Sequence, residues 1–126
     1  MHFPGDLKYT KDHEWIRVEG NIGTIGITDH AQGELGDVVY IDIPDDSATL
    51  SVGDSFGTIE AVKTVADMYA PVSGKIIEVN NALNDAPETV NGDPYGAGWM
   101  IKLELTNLAE LGELMDVTAY KEIIGH

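Results

Sequence analysis

Two stretches of this chain repeat each other in order. Gly36-Asp37-Val38-Val39-Tyr40-Ile41 aligns with Gly74-Lys75-Ile76-Ile77-Glu78-Val79 at an offset of 38, and Gly53-Asp54-Ser55-Phe56-Gly57 aligns with Gly92-Asp93-Pro94-Tyr95-Gly96 at an offset of 39. A unit this short cannot bury an apolar face alone, so the two copies are expected to pack together about an approximate twofold axis. Within and around the copies, apolar residues alternate with polar ones between glycine-marked turns, the pattern of short strands with one buried face. The strands expected on that basis are Glu14 to Val18, Gly23 to Ile27, Val38 to Ile43, Phe56 to Val62, Val65 to Tyr69, Lys75 to Val79 and Trp99 to Leu105.

Helical signals lie at the edges of this pattern. Thr28 to Leu35 reads as a short helix. Asn107 followed by Glu110 resembles a capping box opening Leu108 to Met115, and Val117 to Ile124 is amphipathic. The fold class that follows is mainly β, an antiparallel sandwich or barrel closed by short helices, with a C-terminal helical segment over about 107–124. At 126 residues the chain makes one domain, 1–126, large enough to bury a core.

Composition narrows the function. Seven basic against twenty-two acidic residues give a net charge of -15, which opposes binding to nucleic-acid phosphates and to anionic membrane surfaces. No cysteine is present, so the chain offers no disulfide, thiolate metal site or cysteine nucleophile. No apolar run approaches a membrane span and no secretory leader opens the sequence, so the cytoplasm is the expected compartment, or the mitochondrial matrix if an organelle presequence has been removed.

One residue departs from the acidic background. From residue 18 to residue 74, Lys63 is the only lysine or arginine among ten aspartates and glutamates. Alternation on both sides places it near the tip of a hairpin spanning about 57–70. A turn lysine paired loosely with Glu60 or Asp67 is one reading, and such a pair contributes little. The other is an anchor: a primary amine on a flexible stem can be acylated to carry a cofactor whose chemistry side chains lack.

Other signals lead nowhere specific. Gly20, Gly23 and Gly26 are not followed by the features of a dinucleotide or phosphate loop. His2, His13, His30 and His126 are scattered without metal-ligand spacing, so no metal is expected. No GxSxG elbow or serine-histidine-acid set stands out. Trp15 and Trp99 read as core or groove-lining residues.

The segment Gly57 to Gly74 resembles the lysine hairpin of lipoyl and biotinyl carrier domains. Lys8-Tyr9, His13-Glu14-Trp15, Gly26 to Gln32, Glu60-Ala61-Val62-Lys63, Ala70 to Gly74, Asp93 to Gly96 and Gly98-Trp99 together resemble the glycine cleavage H-protein family over nearly the whole chain. That resemblance implies a barrel-sandwich hybrid carrying lipoate in amide linkage on Lys63, put there by lipoyl-attaching enzymes. It implies a carrier without turnover of its own. The aminomethyl group of glycine would pass from the P protein (glycine decarboxylase) to the T protein (aminomethyltransferase), and electrons would leave through the L protein (dihydrolipoyl dehydrogenase). The cargo's amine is cationic near neutral pH, so carboxylates near the arm would favour it, and Glu14 and Asp67 are the candidates. Rival readings are a biotin carrier, whose lysine is typically flanked by methionines where Val62 and Thr64 stand here, a lipoate relay donor or H-like regulatory protein, and a strand-rich interaction domain with an unmodified Lys63.

Overall fold

A computed structural model of the chain describes residues 3–43 and 48–125, so His2 and His126 lie outside the described residues. The strands are β1 (Lys8–Tyr9), β2 (Glu14–Glu19), β3 (Ile22–Ile27), β4 (Val38–Asp42), β5 (Thr49–Leu50), β6 (Ser55–Ala61), β7 (Val65–Tyr69), β8 (Gly74–Val79) and β9 (Ile101–Leu105). Helix α1 (Asp29–Leu35) separates β3 from β4. Helices α2 (Ala82–Asp85) and α3 (Thr89–Gly92) separate β8 from β9, and a 3-10 turn (Leu108–Glu113) and α4 (Val117–Ile123) follow β9. All pairings are antiparallel, in a six-stranded sheet ordered β1-β2-β3-β9-β8-β5 and a three-stranded sheet ordered β4-β6-β7. The fold is mainly β, a barrel-sandwich arrangement with short helices at its edges.

The sequence repeat has a structural counterpart. Its first block falls on β4 in the small sheet and on β8 in the large one, each paired with the strand that begins within or after its second block, β6 and β9. Both pairings shift register at the same place in the repeat, between Val38 and Tyr40 in one and between Ile76 and Glu78 in the other. A bulge turns the inserted residue outward, and Val39 and Ile77 are accordingly exposed while Val38 and Ile76 are buried. A third register shift, between Ser55 and Gly57, occurs where a Cβ on Gly57 would run into the Asp42 carbonyl, so only glycine lets β6 pass this close to β4.

Alternation buries one face of β8 and β9, whereas consecutive residues of β2 and β3 are buried on both faces. Ile16, Ile25, Ile59, Met68, Ile76, Ile101 and Leu103 meet between the sheets in one core, each side chain contributing roughly 1.5–3 kcal/mol by leaving water. A second cluster, Phe3, Leu7, Tyr9, Trp15, Tyr95 and Tyr120, fastens the C-terminal helix to the large sheet. Tyr9 and Tyr120 stack at 4.7 Å, and Tyr9 and Met115 exchange backbone hydrogen bonds. Trp15 is a core residue, its Nε1 donating to the Pro94 carbonyl, and Trp99 packs against the second cluster.

Three expectations need correction. Asn107 does cap the turn after β9, accepting from Ala109 N, but Glu110 accepts from Ser73 N and Ser73 Oγ instead of closing a capping box, and the segment is 3-10 over Leu108–Glu113. Strand β9 begins at Ile101, because Trp99 N is taken up by a turn to the Gly96 carbonyl. His13 and His30, distant in sequence, are neighbours, with ring centroids 4.8 Å apart.

Candidate functional site

Strands β6 and β7 form a hairpin closed by Ala61 N donating to the Thr64 carbonyl at 2.8 Å, which leaves Val62 and Lys63 as the two residues at its tip. The tip is not loose. Val62 N donates to the Asp37 carbonyl at 3.0 Å and so ties it to the link between α1 and β4. Lys63 is exposed and, among the described residues, makes no ion pair; Lys102 pairs with Glu78, and the His30 ring lies 4.0 Å from the Glu34 carboxylate. Neither Glu60 nor Asp67 holds it. Val62 and Val65 beside it are exposed apolar residues.

The stem of Lys63 runs back over Gly36, the residue that ends α1. Gly36 has φ 79° and ψ -155°, a backbone region essentially reserved for glycine. A Cβ there would stand 3.4 Å from Lys63 Cε. Glycine is therefore required here by the backbone that stops the helix, and the flexible end of the lysine stem lies within ordinary contact distance of it. Sequence reasoning did not single out Gly36 as part of the site, although a glycine just past a short helix is a readable stop signal.

Between α1, β7 and the turn that leads into β2 lies a cleft of about 160 Å³. Residues 12–14 form one wall, α1 contributes Ala31, Glu34 and Leu35, and β7 contributes Ala66, Asp67 and Met68. Glu14 and Asp67, separated by most of the chain's first half, thus line one cavity. Asp67 is exposed at its rim, whereas Glu14 is only 3% exposed. The Glu14 carboxylate accepts from Thr10 Oγ1 at 2.9 Å and from Tyr69 N at 3.1 Å. Burial pushes its pKa up to about 7, against the pull of those two donors, which favour the charged form. No lysine or arginine among the described residues forms an ion pair with it. A buried carboxyl half-ionised near neutral pH and facing a cavity is poised to accept a cation.

The turn that positions Glu14 is built by Thr10, whose hydroxyl oxygen accepts from Asp12 N and Glu14 N, each at 3.2 Å. His13 within it has φ 68°, and its carbonyl accepts from Thr28 N. Thr10 carries no sequence signal of this duty. Among the described residues no three histidine, aspartate or glutamate side chains converge as a metal site, and no helix is long and apolar enough to cross a membrane.

Comparison with known proteins places this geometry in a family. The glycine cleavage H-protein family profile matches residues 7–126. The chain is 52% identical over 124 residues to the glycine cleavage system H protein of Bacteroides fragilis, covering 98% of each. It is 57% identical over 117 residues to that of Symbiobacterium thermophilum, covering 93% of this chain and 91% of the relative. The crystal structure of a glycine cleavage system H protein from Mycobacterium marinum superposes with a TM-score of 0.90 at 42% identity, covering 98% of this chain and all of that one.

Proposed function

Because the chain belongs to the glycine cleavage H-protein family, we propose that Lys63 bears a lipoyl group in amide linkage and that the protein carries the aminomethyl group of glycine between the other components of that system. The observation that carries this reading is an exposed lysine, outside any described ion pair, at the tip of a braced two-residue turn. Such an amine is open to acylation, and losing its charge breaks no described contact. The residues fit the group: Lys63 is exposed at the tip, and the cleft is lined by Leu35 and Ala66, near in the chain to Gly36 and Lys63. When bound, a lipoyl dithiolane supplies a sulfur that takes up the cargo and a thiol pair that is reoxidised afterwards.

The chain's own residues do the rest. The hairpin presents the arm to the decarboxylating P protein, the aminomethyl-transferring T protein and the oxidising L protein, and before them to the enzymes that attach lipoate. Asp37 braces the tip through its carbonyl so that the arm, not the loop, does the moving. Glu14 and Asp67 give the cleft negative charge, which favours a cargo bearing an ammonium group and does so more strongly away from water. A cation entering there provides the countercharge that Glu14 lacks among the described residues. Lys63→Arg keeps the positive charge but cannot form the amide, so it is expected to abolish glycine-cleavage activity in a reconstituted system; retained activity would end the reading.

A further inference from the structure

The C-terminal helix reaches the walls of the cleft through Tyr120. Tyr120 on α4, itself fully buried, sits 2.9 Å from His13 Nδ1 and 2.7 Å from Thr28 Oγ1. His13 belongs to one wall of the cleft, and Thr28 caps α1, part of the other, by accepting from Ala31 N. We propose that Tyr120 is a positioning residue for the cargo cleft, joining its two walls through one hydroxyl and keeping the His13 imidazole uncharged where a cationic cargo is to lie. This rests on the carrier reading for the nature of the cargo, but not for the hydrogen-bond network itself.

Proton counting supports it. Thr28 is fully buried, and among the described residues its hydroxyl has one acceptor, the Tyr120 oxygen. With Thr28 donating to Tyr120, the tyrosine proton is free to go to His13 Nδ1, and every group is satisfied. An imidazolium has no lone pair to receive that proton and becomes a donor at both nitrogens. Tyr120 would then turn its proton to Thr28 and leave the threonine hydroxyl buried without an acceptor, an unfavourable arrangement.

The surroundings act in the same direction. Burial first, then the facing His30, lower the His13 pKa, against the opposing pull of Asp12 and Glu34. The groups around the imidazole are His30 and Glu34 on α1, Asp12 and Glu14 on its own segment, Asp67 across the cleft on β7, and Tyr120. Glu14 also titrates near neutrality, so a test must separate the two.

NMR titration of the His13 ring in protein lacking any group on Lys63 reads the network directly. Tyr120→Phe is expected to raise the His13 midpoint toward the ordinary value of about 6.5. In carrier loaded with cargo, Tyr120→Phe is expected to speed cargo release near pH 6 by roughly threefold or more. His13→Asn, tolerated at this positive φ and unable to charge there, should slow acid-side release and remove the effect of Tyr120→Phe in the double variant while leaving Glu14 in place. An unmoved His13 midpoint in folded Tyr120→Phe protein overturns the inference. So does an acid limb unchanged by His13→Asn, or a release effect that survives in the double variant. Failure of the carrier reading looks different: no cargo loads at all, while the His13 titration still responds to Tyr120→Phe.

Discussion

A methyl group built on Gly36 would stand 3.4 Å from the Cε of Lys63, so the helix stop and the anchor are one feature of the surface. Gly36→Ala puts a side chain into a glycine-only backbone region, which is expected to cost about 1–3 kcal/mol of stability. The methyl would meet the flexible end of the lysine stem only at ordinary contact distance. Urea denaturation should show the loss of stability, while lipoylation by purified attaching enzyme should proceed as for the native protein under conditions where both are folded.

Glu14 makes a prediction about stability and pH. Its folded pKa is raised from 4.5 to about 7, so the folded protein holds this proton more tightly than the unfolded chain. The sign follows from linkage: the favourable contribution is complete below about pH 4.5, falls away between there and about pH 7, and is gone above. The total is roughly 3 kcal/mol at most. Glu14→Gln should flatten the stability profile of the unloaded protein across that window, and an unchanged slope in denaturation midpoints would count against a raised pKa.

The pair Glu14 and Asp67 is tested through the cargo. Changing both to neutral amides leaves the cleft shape but removes its charge, so the loaded carrier should lose cargo faster, by about tenfold for an effect near 1.4 kcal/mol. Timing the decay of loaded protein checks this. An unchanged lifetime would remove both residues from the account.

The net charge of -15 predicts steering toward basic surfaces on partner enzymes. Association rates with the P and T proteins should fall by about tenfold or more from low to physiological salt. Stopped-flow measurements across an ionic-strength series decide it, and salt-independent rates would leave the charge to solubility alone.

How much of this was legible depends on the length scale of each feature. The hairpin around Lys63 could be read because β6 and β7 run long enough for alternation to register, and the repeat could be read because its two bulged strands carry like residues. Strands β1 and β5, two residues each, and helices α2 and α3, four each, are too short to repeat a period and arise from neighbours already in place. Glu110 misled because its local fit to a capping box lost to a two-point bond with Ser73, 37 residues away. Glu14 was nameable from its resemblance to a family segment. Its burial, the Tyr69 N that holds it and the tyrosine linking His13 to Thr28 come from contacts 55 to 107 residues apart, which no local pattern encodes.

The central claim is that Lys63 is an anchor. Intact mass and peptide mapping of the protein purified from its native source, grown while glycine is being degraded, test this most directly. The account predicts a fraction heavier by one lipoyl group, located on the peptide containing Lys63 and absent from Lys63→Arg. Protein of unmodified mass throughout, or a lipoyl group located on another lysine, would contradict it.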